Sequence, residues 1–310
     1  MHYTGTIWRP PYEAQSLLLE VTAGCTHHNC KFCTLYDGLP FQFRMTPMET
    51  IDADLAEAQM LLHSPLGKLR DNLLGVPSRN IIRVFLVGAN PFILHFHRLE
   101  AIAGAVRKYF PECESIGCFS RVTDISRKTD EQLKALRRLG YDGLTIGVET
   151  GDSDALAFMR KGYPARAILE QTQRLDEAGI SYNFFYLAGI SGNGRGVKGA
   201  FDSAQLFSQT HPKLIGSSML TIFPESELYQ EIQAGNWEEE SELEKLEEVM
   251  TLIRYLDIPV DFAMLGASNA VQVHGRLPDD RERMLSALER VCDPQNEEAL
   301  RQYRVHLPHL

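Results

Sequence analysis

The stretch Leu17-Leu18-Leu19-Glu20-Val21-Thr22-Ala23-Gly24-Cys25-Thr26-His27-His28-Asn29-Cys30-Lys31-Phe32-Cys33 decides how the rest of the chain is read. An apolar strand runs directly into a loop that carries three cysteines in C-x4-C-x2-C spacing. Three closely spaced thiolates can hold three irons of a [4Fe–4S] cluster, and the missing fourth cysteine leaves one iron open to another ligand. A cluster that only carries electrons usually has four cysteines, so an open iron marks a chemical site. Two other readings stand beside this one on spacing alone. Cys25, Cys30 and Cys33 with His27 or His28 also make a Cys3His zinc set, and free cysteines are often simply small buried apolar side chains.

Outward from this stretch, apolar strands alternate with amphipathic helices. Strands are expected at 16–22, 81–87, 115–120, 143–149, 182–188 and 216–223. Helices are expected at 48–63, with Thr46 as N-cap and Pro47 at the first helical position, and at 96–109, 130–139, 153–160 continuing at 165–178, and 197–209. Successive βα units imply an α/β fold with a parallel sheet and right-handed crossovers. Phe184 to Ala188 are apolar on both faces, which suits a sheet covered by helices on one side and closed into a barrel on the other. The segment 66–80 is expected to be a loop insertion. Beyond Phe223 the alternation is expected to stop, leaving helices at 225–234, 240–256 and 280–292 as an appendage that packs on the barrel or lids it. Within 240–256, Leu243, Leu246, Val249, Met250, Ile253 and Leu256 form an apolar stripe that suits either role.

Parallel α/β barrels place their chemistry at the C-terminal ends of the strands. The first expected strand ends in the three cysteines. The second ends in Gly88-Ala89-Asn90-Pro91, where small residues allow close backbone approach to a ligand or simply make a tight turn. The third ends in Ser120-Arg121. The fourth ends in Gly147-Val148-Glu149-Thr150-Gly151, whose carboxylate can accept from ribose hydroxyls or an amino group, or can serve as a helix N-terminal acid.

Composition sets the limits. With 310 residues, 44% hydrophobic and 23% charged, the chain can bury a sizeable core as one large domain or a domain with an appendage. A net charge of −10 argues against a large phosphate-binding surface. Arg121, Arg127, Lys128, Arg137 and Arg138 read as a solvated surface rather than a nucleic-acid patch. Residues 1–11 contain no apolar signal region and no run is long enough to span a bilayer, so neither secretion nor membrane insertion is expected. The other cysteines, Cys113, Cys118 and Cys292, do not resemble a disulfide framework, and a reducing, cytoplasmic location is expected.

Taken together, the cysteine motif, Phe32 before its last cysteine, the glycine-bearing turn at Gly88, the Gly147–Gly151 segment and Phe223-Pro224-Glu225-Ser226-Glu227-Leu228 resemble the radical S-adenosylmethionine (SAM) superfamily. The similarity covers Arg9 to Pro224, and the C-terminal segment from Ser268-Asn269 through Leu277-Pro278-Asp279-Asp280-Arg281-Glu282-Arg283 resembles the coproporphyrinogen-oxidase-like, or Fe–S oxidoreductase, branch. The resemblance implies a partial (β/α)6 barrel over 1–224 and a mainly helical extension over 225–310. It implies two cofactors, a [4Fe–4S] cluster on Cys25, Cys30 and Cys33, and SAM. For SAM it implies Phe32 and Thr34 at the adenine, Gly88 and Ala89 at the methionyl amino group, and Glu149 at the ribose. Lys161 or Arg160 would meet the carboxylate, and Asn90 and Arg121 complete the cofactor-binding set. The implied reaction is reductive cleavage of SAM to a 5′-deoxyadenosyl radical that abstracts hydrogen from a small-molecule or peptide substrate. The implied partner is an external reductant such as flavodoxin or ferredoxin, with no nucleic acid and no membrane.

The chain departs from the family pattern in three places. The first cysteine interval is one residue longer than the usual C-x3-C-x2-C, Asn90 stands where the turn is usually acidic, and Cys33-Thr34-Leu35 lacks the extra cysteine of coproporphyrinogen dehydrogenases. Neither a cobalamin-binding domain before the barrel nor a cysteine-rich domain after it is expected. Candidate substrate-lining residues are Tyr36, His95, His97, Asn183, Tyr186 and the loop 189–196, whose four glycines suit a mobile or phosphate-approaching segment. The alternative function is a non-catalytic zinc- or cluster-stabilised scaffold or electron carrier.

Overall fold

Strand β1 (Leu17–Glu20) opens the computed structural model, which describes residues 1–64 and 80–307. The expected loop insertion lies, apart from Asn80, outside the described residues. The chain divides into two compact units. The first comprises 1–26, 36–145 and 178–180; the second comprises 27–35, 146–177 and 181–310.

In the first unit β1 is followed by a short antiparallel ribbon of β2 (Thr22–Gly24) and β3 (Phe43–Met45) and by helix α1 (Met48–His63). Next come β4 (Arg83–Val87), α2 (Phe96–Tyr109), β5 (Ser115–Ser120), α3 (Val122–Ile125) and α4 (Asp130–Arg138). Strands β1 and β4 pair in parallel, as do β4 and β5, so their C-terminal ends point the same way. Leu19, Ile51, Leu55, Val84, Leu86, Leu99 and Ile102 are fully buried and join sheet and helices. Each contributes about 1.5–3 kcal/mol by leaving water. One expected cap differs. Residue Pro47, not Thr46, occupies the N-cap of α1, and the Thr46 hydroxyl donates instead to Glu20 Oε1 at 3.4 Å. Glu20 is only 2% exposed, and a carboxylate so deep needs donors more than the helix end does.

Strand β6 (Leu144–Glu149) carries the chain from the first unit to the second. There α5 (Ser153–Phe158) and α6 (Arg166–Ala178) precede β7 (Tyr182–Ala188), α7 (Gly196–Phe207) and β8 (Leu214–Met219). The tail adds α8 (Glu227–Gln233), α9 (Glu242–Tyr255), β9 (Val260–Met264), β10 (Val273–Leu277), α10 (Arg281–Glu289) and α11 (Glu297–Val305). The alternation therefore does not stop at Phe223. Strand β9 pairs in parallel with β8, and β10 pairs antiparallel with β9. The driving pattern is Val260, Phe262 and Met264, all buried and alternating with Asp261 and Ala263.

On β7 the alternation decides which side chains face which layer. Phe184 and Tyr186 pack on Phe207 of α7, with ring centroids 5.0 and 6.3 Å apart, so Asn183 and Phe185 take the opposite face. Helix α9 packs on α7, with Leu246, Val249, Leu252, Ile253 and Leu256 fully buried. Its apolar stripe thus packs against α7. Helix α11 fastens that helix: the Glu297 carboxylate accepts from Glu242 N and Leu243 N at 2.9 and 3.0 Å, capping the start of α9. Among the described residues no helix is long and apolar enough to cross a membrane.

Candidate active site

In the first unit the approach to Cys25 is set by backbone that only glycine tolerates. Gly24 has φ +78°, and a Cβ there would sit 2.2 Å from Gln42 O, which accepts from Cys25 N at 2.9 Å. Gly88, just past β4, has φ +130°, and a Cβ would lie 2.0 Å from Thr22 Oγ1. The Thr22 hydroxyl is buried with no hydrogen-bond partner among the described residues. A buried orphan hydroxyl beside a stripped backbone suits a polar ligand group at this place. The small pocket there is lined by Trp8, Glu20, Thr22, Ala23, Tyr36 and Gly88, and the next residue, Ala89, is half-buried.

Asn90 is fully buried. Its Nδ2 donates to Thr26 Oγ1 at 2.9 Å and to both oxygens of Asp124 at 3.1 and 3.2 Å, so it ties the residue after Cys25 to α3. Asp124 also accepts from Arg121 N at 2.8 Å. Burial pushes the Asp124 carboxyl up, against the pull of these hydrogen bonds. The Arg121 guanidinium turns to Thr123 Oγ1 at 3.0 Å. Lys128, expected on a solvated surface, is 4% exposed and donates to Phe92 O at 2.7 Å. Burial lowers its pKa to about 8. Exposed His95 and His97 stand at the start of α2, where His97 faces Glu100 at 3.4 Å, rather than with these residues.

In the second unit the loop from His27 to Leu35 is fastened from several sides. Cys33 N donates to Cys30 O at 3.1 Å, Lys31 N to Met159 O at 3.3 Å, and Leu228 N to Lys31 O at 2.8 Å. His27 Nε2 meets Arg160 O at 2.6 Å, and Arg160 Nη1 meets Glu227 Oε2 at 2.8 Å. Lys161 and Glu149 are brought together: Nζ donates to Oε1 at 2.9 Å, with both side chains at most 10% exposed. Glu149 sits at φ +63°, a left-handed conformation costly for a non-glycine residue, at the end of β6. Lys161 Nζ also lies 5.9 Å from the Phe32 ring, so Phe32, Glu149 and Lys161 form one group. Thr34 is half-buried in the same loop. Arg160, the other carboxylate candidate, turns to Glu227 instead. Tyr186, on the helical face of β7, is separated from Asn183 by the sheet itself.

None of the six cysteines is in a disulfide, and Cys25, Cys30 and Cys33 are all partly exposed while Cys113 and Cys118 are buried. Among the described residues no three Cys, His, Asp or Glu side chains are already gathered as a ligand set. Metal sites commonly complete their geometry only on binding. The donors fit a cluster. In the second unit Cys30 and Cys33 lie on the fastened loop; in the first unit an orphan hydroxyl and a bare Gly88 backbone line a pocket with Ala23, two residues before Cys25.

The glycine loop 189–196 answers differently from its phosphate expectation. Gly189 N donates to Glu248 Oε2 at 2.6 Å and Gly194 N to Glu244 Oε1 at 2.9 Å, so its amides already hold carboxylates of α9, which would repel a phosphate. Beneath it lies a carboxyl pair with no sequence signal. Glu248 is fully buried and accepts from Tyr186 Oη at 2.5 Å; Glu240 is 2% exposed, and neither of its oxygens has a donor among the described residues. Burial and the Glu248 charge push Glu240 up to about 10, and burial pushes Glu248 up to about 7, so the pair holds a proton at neutral pH. Raised carboxyl values mean that the folded chain keeps a proton the unfolded chain has lost above about pH 4.5. The stabilisation is complete below that value and is lost as pH rises towards 10, at up to about 1.4 kcal/mol per pH unit per proton. Thermal unfolding is expected to fall from pH 6 to 9 and to flatten in Glu240→Gln; an equal slope in both proteins would exclude the shared proton.

A model of the Radical SAM superfamily matches residues 19–194, more than half of the sequence, and this chain belongs to the radical SAM superfamily. No curated protein matches it. Among solved structures it is similar to Elp3 from the archaeon Methanocaldococcus infernus, at 13% identity and TM-score 0.55 over 78% of this chain and 60% of that one. It is similar to the radical SAM coproporphyrinogen III oxidase HemN from Escherichia coli, at 16% identity and TM-score 0.55 over 78% and 52%. It is also similar to the radical SAM methyltransferase TsrM from Kitasatospora setae, a structure with cobalamin and a [4Fe–4S] cluster bound, at 15% identity and TM-score 0.51 over 71% and 37%. The chain thus spans from 37% to 60% of those chains. The likeness establishes the α/β partial-barrel fold. The superfamily's cofactors are a [4Fe–4S] cluster and SAM, and its members are enzymes.

Proposed function

We propose that this chain cleaves SAM reductively and passes the resulting radical to a small-molecule or peptide substrate. The observation that carries the reading is the C-x4-C-x2-C motif inside the family match, with the loop that bears Cys30 and Cys33 fastened at Lys31 and His27. Cys25, Cys30 and Cys33 would hold three irons and leave the fourth to SAM. When bound, the cluster supplies the electron that splits SAM into methionine and a 5′-deoxyadenosyl radical.

The chain's own residues bind and orient. Backbone at Phe32 and Thr34 would receive the adenine, and Gly88 and Ala89 the methionyl amino group. Asn90 holds Thr26 in place, and Arg121 closes that side. A carboxylate accepts at about four sites, so the bond from Lys161 leaves Glu149 capacity for ribose hydroxyls, while Lys161 offers its charge to the SAM carboxylate. The proposed division is a catalytic barrel in 1–224 and its cover in 225–310. A flavodoxin or ferredoxin in the cytoplasm is the proposed reductant, and no nucleic acid is involved.

Anaerobic reconstitution tests this. Brown protein with about four irons per chain, releasing 5′-deoxyadenosine from SAM under dithionite, is the expected result. Zinc uptake without iron uptake would overturn it in favour of a scaffold.

A further inference from the structure

Between the second and third cysteines stands Lys31, and nothing in its immediate sequence explains it. Its side chain is 9% exposed, and its Nζ lies 2.6 Å from Glu231 Oε1 and 3.9 Å from the centroid of the Phe158 ring. Its backbone is held as well, through the bonds to Met159 O and from Leu228 N described above. Glu231 belongs to α8, where Glu227, one helical turn earlier and on the same face, takes Arg160. The other oxygen of Glu231 accepts from Asn236 Nδ2 at 2.8 Å, which orients the carboxylate towards Lys31. Lys31 and Asn236 hold the Glu231 carboxyl below its usual range, the bond from Lys31 being the larger cause.

We infer that Glu231 is a positioning residue for the cluster site: acting through Lys31, it fixes the Cys30–Cys33 turn and cancels the one cation set between those two ligands. The inference rests on the reading that these cysteines hold the cluster. Partners one shell out from the ligands set ligand orientation, and local charge sets reduction potential. An uncompensated cation in the turn stabilises the reduced, more negative cluster; an uncompensated carboxylate beside it does the opposite. The pair makes the two effects cancel.

The test uses reconstituted full-length protein with Glu231→Gln, Lys31→Met and the double variant, the methionine keeping the stem packed on Phe158. Two quantities are read: the midpoint potential by EPR-monitored redox titration, and the rate of iron loss to a chelator. Glu231→Gln should move the potential positive and Lys31→Met negative, with the double variant close to wild type. Iron loss should quicken in all three, by roughly tenfold, the low end for removing an outer partner of a metal ligand. Opposite-signed shifts cannot come from packing loss alone. Potentials unchanged in both single variants, or shifted in the same direction, overturn the inference while iron uptake remains intact. Failure of the wild type to take up iron, or undiminished iron in Cys30→Ala, overturns the cluster reading itself and the inference with it.

Discussion

Replacing Cys30 by alanine is expected to abolish both the cluster and the reductive cleavage of SAM, and Cys25→Ala and Cys33→Ala should do the same. With three thiolates for three irons there is no spare ligand, and the neighbouring His27 is engaged with Arg160 O at 2.6 Å. Cys113→Ala serves as the control. That thiol is buried, bonds Ser115 O at 3.4 Å and has its pKa raised by burial, so it is an inert side chain of the first unit. Iron per chain and 5′-deoxyadenosine release, measured side by side, settle the matter. A Cys30→Ala protein with wild-type iron and turnover would sink the assignment.

Glu149→Ala is expected to damage stability and SAM binding together. Lys161 is 4% exposed and has Glu149 within 2.9 Å, so deleting the carboxylate removes one side of a buried ion pair. Breaking a buried pair from one side costs about 3–5 kcal/mol. Loss of the proposed ribose contact weakens SAM by about a further 1–3 kcal/mol. The double variant Glu149→Gln/Lys161→Met removes both charges and should recover most of the stability without recovering SAM affinity. Chemical denaturation and calorimetry separate the two quantities. Full SAM affinity in the double variant would show that the pair is structural only.

Local chemistry was legible in the sequence and long-range burial was not. The cysteine loop could be read because its proposed ligands lie within nine residues of one another. Strands β5 and β7 and helices α1 and α2 fall at their expected bounds, since their periodic patterns are long and bounded by turn residues. Glu149 and Lys161 were each expected at SAM, and the structure adds that they bind one another. Strands β9 and β10 were missed: Val260, Phe262 and Met264 alternate over only five residues, and β10 has just Val273 and Leu277 buried. Lys128 looked like surface because its neighbours Arg127 and Ser126 are exposed, and only the fold shows Phe92 O waiting for its ammonium. Glu240 and Glu248 look like any acidic helical face until burial gives them a shared proton.

The Lys31–Glu231 bond spans 200 positions of sequence, and this has a meaning for how the protein is made. At about 5–20 residues per second, roughly 10–40 s separate synthesis of the two partners. Throughout that interval the nascent chain carries all three cysteines but not the helix that holds their loop. If the three cysteines hold the proposed cluster, stable iron insertion should follow synthesis of α8, and until then thiolates without metal would be open to oxidation. Cells that make this chain faster than they can deliver iron should accumulate it with oxidised cysteines, a state of the assembly line rather than of the fold.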